Sequence, residues 1–281
     1  MRDTYHSEIS NTEKHLLPLL FNHCRLLFSD YHLPSHDHHH HMRVWSFARE
    51  LICELSYLEV YLNRNEISLL MLSVFFHDTG LTRTLDENHG CQSRKMCEKF
   101  LEENYDIFSY DTTEALNAIE LHDKKKEHAL NENFSEISLL KILTICDDLD
   151  AFGLTGIFRY AEIYLLRGVT VNTLADKVLQ NIKLRFEAFS SQLWIPATIK
   201  SRHKNRYMET IAFYESMSMT NQGNKFETLA SIINKYMDEV YYGRSDFDDF
   251  AGNLANDPDP YKAKFGSSLL AELNDNFLTC T

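Results

Sequence analysis

Two segments of the chain place histidine and aspartate side chains where long apolar runs end. His77 and Asp78 directly follow the apolar segment 67–76, and Asp147 follows a second apolar segment over 139–146. Burying an imidazole or a carboxylate without a partner is costly. A divalent cation can satisfy both groups at once, and a hydrogen-bonded His–Asp pair in the core is the alternative. The spacing therefore indicates a metal-dependent reaction. A hydrogen-bonded His–Asp pair without a metal remains the alternative.

The acidic segment after residue 146 gives the same indication from a different direction. Asp147, Asp148 and Asp150 stand at the end of a predicted helix, where negative charge opposes the helix dipole. Solvated acids at a helix end are the ordinary alternative. A nearby cation would remove the conflict, so these carboxylates are candidate ligands.

Histidines supply the remaining candidates. The chain has 14 of them, and five lie between residues 36 and 41. His89 and His122 fall between the His77–Asp78 pair and Asp147 along the chain. Each of these two would by itself be an ordinary surface or core histidine, and their order along the chain is what makes them candidates.

Helices must position these side chains. Gly and Pro are scarce, with nine and five residues in 281, which disfavours turn-rich β architectures. Apolar residues recur at helical spacing along most of the chain. The pattern predicts an all-α bundle of about ten helices, with no strand. The predicted helices cover about 12–29, 38–55, 66–77, 89–104, 111–122, 135–149, 155–166, 173–192, 197–219 and 224–241.

The pattern changes after Gly243. Acidic residues become frequent, and we expect a docked or mobile tail of less regular structure that ends in a short amphipathic piece near 267–278. We therefore predict a helical, metal-binding domain over 1–220, followed by a C-terminal helix and acidic tail over 221–281.

The composition of the chain limits the classes of molecule that it is expected to bind and the compartment in which it is expected to act. The formal charge of −13 disfavours non-specific binding to nucleic acids and to anionic membranes. The six cysteines show no CxxC spacing, which favours free thiols in a reducing compartment. The start of the chain is polar, and the longest apolar run of ten residues is too short to span a bilayer. We expect a cytoplasmic protein that acts on a small molecule, with homodimerisation left open.

The ordered motifs resemble the HD superfamily of metal-dependent phosphohydrolases, in particular its small bacterial single-domain members. Ser35–Val44 is similar to their SHDxxHxxRV opening, Phe75–Gly80 to their second motif, and His89-x-x-x-Ser93 to their HExxSA segment. The resemblance extends over about 12–220. Gly90 stands where those relatives have glutamate, a residue often found near a second metal.

The resemblance implies the site residues. The first ion would be held by His40, His77, Asp78 and Asp147. Where two ions bind, Asp78 bridges them and His89 and His122 hold the second; with one ion, these two histidines face the phosphate as hydrogen-bond donors or as a general acid. Asp78, His89 and His122 are thus the catalytic candidates. The ligand types suit Mn, Mg, Fe, Co, Ni or Zn, and we expect one tightly bound ion and a second, weaker one.

A phosphate substrate also needs cations other than the metal. The candidates for this role are Arg43, Lys124, Lys125 and Arg159. Asp150 is a candidate to orient a ligand histidine by accepting a hydrogen bond from the ring nitrogen that does not bind the metal. Each of these residues could equally be a solvated or ion-paired surface residue.

The function predicted from these residues is hydrolysis of a phosphate ester or anhydride by metal-activated water, with a nucleotide or related small molecule as substrate. Two other classes stay open. An HD-type di-iron oxygenase has the same order of ligands, and a catalytically weak HD module would bind a ligand and signal through the tail. The metal found in purified protein distinguishes the oxygenase, and retention of all six candidate ligands disfavours the weak module.

Overall fold

The computed structural model describes residues 2–86, 88–124, 137–218 and 224–275. Helices are the only regular secondary structure in these residues, which confirms the all-α prediction. Short turns of 3₁₀-helix (Thr79–Thr82) and π-helix (Met237–Tyr242) add to the α-helices. The twelve described α-helices are α1 (Arg2–Leu27), α2 (His38–Ser56), α3 (Arg64–Phe76), α4 (His89–Glu103), α5 (Thr113–Leu121), α6 (Leu139–Asp150), α7 (Gly153–Leu166), α8 (Val171–Ser191), α9 (Ala197–Met217), α10 (Asn224–Tyr236), α11 (Phe247–Ala255) and α12 (Pro260–Asp275).

Most helices lie within a few residues of their predicted bounds, and α1 is the exception. It begins at Arg2, ten residues before the predicted start, because Tyr5 and Ile9 continue its buried face towards the N-terminus. Asp37 caps α2 by accepting a hydrogen bond from the backbone N–H of His39 at 2.8 Å. The predicted helix start at 135 and parts of the predicted ends at 219 and 278 lie outside the described residues.

The chain forms two compact units. The first comprises residues up to Tyr31, together with His36–Asp147 and Trp194–Pro196. The second comprises His32–Ser35, Asp148–Leu193 and the residues from Ala197 onward. The domain boundary predicted at residue 220 falls inside the span of the second unit.

Helix α3 forms the centre of the first unit. Its residues from Ile67 to Phe76 are all buried, and it packs against α1, α2 and α5. Asn63 and Glu66 form a capping box that fixes its start. A helix that is apolar on every side can only lie inside the protein, so the residues at its end, His77 and Asp78, are delivered to the interior.

The second unit contains the C-terminal region that was predicted to be less regular. That prediction was wrong for the described residues, because α11 and α12 are regular helices that pack against each other, and α12 also packs against α7. The apolar residues buried on these two helices are Phe250, Ala251, Leu254, Phe265, Leu269 and Leu273. The frequent acidic residues predicted a less regular tail, although apolar residues at helical spacing are present in the same segment.

A carboxylate also fastens α12 to the start of α7. Glu272 accepts hydrogen bonds from the backbone N–H groups of Leu154 at 2.7 Å and Thr155 at 3.1 Å. These N–H groups belong to the first turn of α7. The N–H groups of a first turn have no hydrogen-bond acceptor within their own helix. Among the described residues, no helix combines the length and the apolar character that crossing a membrane requires.

Candidate metal centre

The His77–Asp78 pair lies in the turn that joins α3 to the 3₁₀-helix. Ser93, on α4, holds this turn with its hydroxyl, which donates to the carbonyl oxygen of His77 at 2.6 Å and accepts from the N–H of Gly80 at 2.8 Å. A Cβ atom at position 80 would clash with the carbonyl oxygen of His89. Gly80 and Ser93 therefore allow α4 to approach the turn closely, which explains two of the sequence motifs in structural terms.

Four buried side chains, which we call the first group, converge from two helices, α2 and α6, and from this turn: His40, His77, Asp78 and Asp147. The Nε2 atoms of His40 and His77 are 3.1 Å apart. From His40 Nε2, the distance is 3.5 Å to Asp78 Oδ2 and 3.6 Å to Asp147 Oδ1. The corresponding distances from His77 Nε2 are 3.6 and 3.7 Å.

A second group forms on the other oxygen of Asp78 and consists of Asp78, His89 and His122. Asp78 Oδ1 lies 3.3 Å from His89 Nε2 and 3.2 Å from His122 Nε2. The Nε2 atoms of the two histidines are 3.3 Å apart. One carboxylate is thus shared, with Oδ2 facing the first group and Oδ1 facing the second.

Backbone carbonyls fix the orientation of three of these imidazoles. The Nδ1 atoms of His77, His89 and His122 lie 2.8, 2.9 and 2.8 Å from the carbonyl oxygens of Val74, Asp86 and Ile119. A carbonyl only accepts, so each Nδ1 carries the hydrogen, and in the neutral ring the lone pair is on Nε2. Metal-binding histidines are held in this way.

The donor atoms fit a divalent ion. Two ligands at ~2.1 Å from an ion and at right or tetrahedral angles lie ~3.0–3.4 Å apart. The distances from the histidine nitrogens to the other donor atoms of the two groups run from 3.1 Å to 3.7 Å. In the absence of a cation or a proton, the lone pairs of two facing Nε2 atoms would repel each other. The buried cluster can therefore bind a divalent metal, as the sequence predicted, and its imidazole and carboxylate donors suit several such ions.

The electrostatics of the cluster favour a cation as well. Burial alone would raise the pKa of Asp78, but the charge of His77 and hydrogen bonds from the surrounding histidines outweigh it and hold this pKa well below its usual value. Burial opposes the protonation of His89, yet its hydrogen bond to Asp78 raises the pKa to about 9. Asp78 and Asp147 likewise raise the pKa of His77 against the effect of burial. Positive charge is stabilised here, whether protons or a metal ion carry it.

The three carboxylates of the acidic segment have different environments. Asp147 belongs to the first group, whereas Asp148 and Asp150 lie in the second unit and face arginines. Asp148 Oδ1 pairs with Arg185, and Asp150 Oδ2 lies 3.5 Å from Arg159 Nη1. Arg159 and Asp150, predicted to serve a phosphate and a ligand histidine, are thus brought together as an ion pair.

The other predicted cations are spread over the first unit. Arg43 is almost fully buried within α2, one turn after His40. Lys124 is partly exposed and lies three residues after the end of α5. Lys125 lies outside the described residues. The structure does not test the substrate roles predicted for these residues.

Sequence reasoning missed a surface pocket that carries three cations. We call it the cationic pocket; it lies in the first unit and is lined by Arg83, Thr84, Gln92, Lys95, Met96 and Lys99. The signal was present in the sequence, because Lys95 and Lys99 are four residues apart on the helix that begins with His89. Positions four apart share a face of a helix.

Histidine 41 was also not singled out from its neighbours in the sequence. Its side chain is completely buried, and its Nδ1 lies 2.6 Å from the sulfur of Cys24. Burial is the main cause that lowers the pKa of His41 well below its usual value. Only the fold could show that this histidine, unlike the exposed His39, points inward.

Histidines that face both oxygens of Asp78 are consistent with an HD metal site. The comparison with family models agrees, because residues 21–147 match the HD-CE family and include all six residues of the two groups. This confirms the resemblance over that segment, which is shorter than the predicted span of 12–220. Neither a curated protein nor a solved structure gives a significant match to the chain.

Proposed function

We propose that this protein is a metal-dependent phosphohydrolase that directs water at a phosphate ester or anhydride. One observation carries the proposal: Asp78 offers one carboxylate oxygen to each of two histidine groups. This arrangement is suited to two ions that share a bridging ligand. It also leaves a single-ion site with two histidines on its open side.

The residues of the two groups have different proposed roles. His40, His77, Asp78 and Asp147 would hold the first ion, and His89 and His122 would hold a second one with Asp78. When bound, divalent ions neutralise phosphate oxygens and make water acidic enough to attack at neutral pH. With one ion, His89 and His122 would donate hydrogen bonds to the substrate phosphate from Nε2 in their imidazolium form, because Nδ1 of each ring already donates to a backbone carbonyl.

Two properties of the protein support an anionic substrate of small size. The cationic pocket brings three basic side chains to the surface of the unit that contains both groups. The net charge of −13 disfavours long polyanions such as nucleic acids. We propose a nucleotide or a related phosphorylated small molecule, hydrolysed in the cytoplasm.

The test begins with metal analysis of the full chain purified without added metal. Phosphate and pyrophosphate release is then screened over nucleotides, cyclic dinucleotides and sugar phosphates with Mn²⁺, Mg²⁺, Co²⁺ or Ni²⁺. Asp147→Asn serves as the site variant and Asp106→Asn, at an exposed position, as the matched control. We expect release that requires metal, is lost in Asp147→Asn and is unchanged in Asp106→Asn.

Two results would overturn the proposal. One is the absence of phosphate release from every substrate with every metal, although the protein binds metal. The other is a mixed-valent di-iron spectrum with consumption of O₂, which would assign the domain to the oxygenases instead.

A further inference from the structure

His41 lies beside the first group and has an incomplete set of partners. Its ring is fully buried, and Nδ1 contacts the sulfur of Cys24 at 2.6 Å. The other ring nitrogen, Nε2, is buried and has no hydrogen-bond partner among the described residues. Leaving a buried polar atom unsatisfied is costly, so this nitrogen points to a partner that binds there.

The candidate partner for that nitrogen is an ion bound by the first group. One ring nitrogen from each of His40, His41 and His77 lies within 4.8 Å of the other two. The ring centroid of His41 is 4.9 Å from that of His77 and 5.3 Å from that of His40. Consecutive residues of a helix diverge by ~100° around its axis. Two neighbouring histidines therefore both approach His77 only because α3 ends beside this part of α2.

The tautomer of His41 decides what Nε2 can offer. If the thiol of Cys24 donates to Nδ1, Nε2 carries a hydrogen that has no acceptor among the described residues. If Nδ1–H donates to the sulfur instead, Nε2 carries a lone pair. The second tautomer matches that of His77, whose Nδ1–H donates to Val74, and it is the form in which a histidine binds a metal.

We infer that His41 is a third imidazole ligand available to the ion of the first group, with Nε2 as the ligand atom and Cys24 as the residue that orients the ring. This inference rests on the metal binding that the proposed function requires. Imidazole favours Co²⁺, Ni²⁺ and Zn²⁺ over Mg²⁺. The third histidine thus makes the first group select these ions against magnesium.

The test compares the full-length protein with its His41→Phe variant, in which an aromatic ring of similar shape cannot bind metal. Metal-free protein is titrated with Co²⁺ and, separately, with Mg²⁺, and the visible absorption of bound Co²⁺ is recorded. We expect the Co²⁺ affinity to fall at least ~10-fold, the Co²⁺ spectrum to change, and the Mg²⁺ affinity to change much less.

Two further variants separate a ligand from a merely buried histidine. His203→Phe replaces a buried histidine of the second unit, and we expect its metal affinities to equal those of wild type. Cys24→Ala removes only the orienting contact, and we expect a smaller loss of Co²⁺ affinity than in His41→Phe. His41→Gln replaces His41→Phe in the titration if the phenylalanine variant does not fold.

The outcomes distinguish this inference from the proposed function. If wild type binds none of the tested metals, the proposed function fails, and the inference fails with it. If wild type binds Co²⁺ and the folded His41 variant binds it with the same affinity and spectrum, His41 is a structural residue. The inference is then overturned while the hydrolase proposal stands.

Discussion

The two histidine groups that share Asp78 differ in their carboxylates. The first group has two imidazoles with two carboxylates, whereas the second has two imidazoles with only the shared one. Position 90, beside His89, has no room for a side chain, since a Cβ at Gly90 would lie 2.6 Å from the carbonyl oxygen of Glu120. The close approach of α4 to α5 therefore disfavours a glutamate at position 90. We therefore expect the first group to bind an ion more tightly than the second.

The largest expected effect comes from Asp78→Ala, because this change removes a ligand from both groups at once. We expect the hydrolysis rate to fall by more than the ~10–100-fold that is typical when a residue that hydrogen-bonds to a metal ligand is mutated. Helical content, measured by circular dichroism, should remain. Near-wild-type turnover at saturating metal would make Asp78 a structural residue and would contradict the hydrolase proposal.

The next effect separates the two groups. In a His89→Ala/His122→Ala double variant we expect the weak ion to be lost while the tight ion stays bound, because the first group keeps all four of its ligands. Calorimetric titration with Mn²⁺ measures the stoichiometry, and Asp147→Asn provides the converse case in which the tight ion is lost. Unchanged stoichiometry together with an unchanged hydrolysis rate would remove both histidines from the site.

Metal removal should affect stability through the first group. An ion that binds only the folded state at 100 times its Kd stabilises it by about 2.7 kcal/mol. We therefore expect chelation to lower the Tm of wild type and of the His89→Ala/His122→Ala variant, but hardly to change that of Asp147→Asn. Equal midpoints of the wild-type protein with and without metal would show that the tight ion is absent.

The smallest effect is expected for Ser93→Ala, which leaves every ligand in place. The variant loses the hydrogen bonds to His77 and Gly80 that hold the turn beside both groups. Leaving buried partners unsatisfied costs about 1–3 kcal/mol, and we expect a loss of this size in urea unfolding with a modest weakening of both ions. Ser267→Ala, whose hydroxyl bonds only within α12, is the control. Equal losses in the two variants would show that Ser93 has no special role in the turn.

The fold class and the ligand types could be predicted from the residues alone. Apolar periodicity and the scarcity of glycine and proline predict helices, because a helix interior tolerates neither residue well. The uniformly apolar α3 also determines that His77 and Asp78 are buried. Local rules suffice for these features because they act within a few turns of one helix.

Contacts between distant segments of the chain determine which side chains meet. Asp147 joins the histidines while Asp148 and Asp150 face arginines, although all three follow the same apolar segment. The inward position of His41, the regular helices in the acidic C-terminal region and the exclusion of a side chain at Gly90 also depend on the fold. Each is set by residues distant along the chain, and a pattern along one helix contains no information about what packs against it.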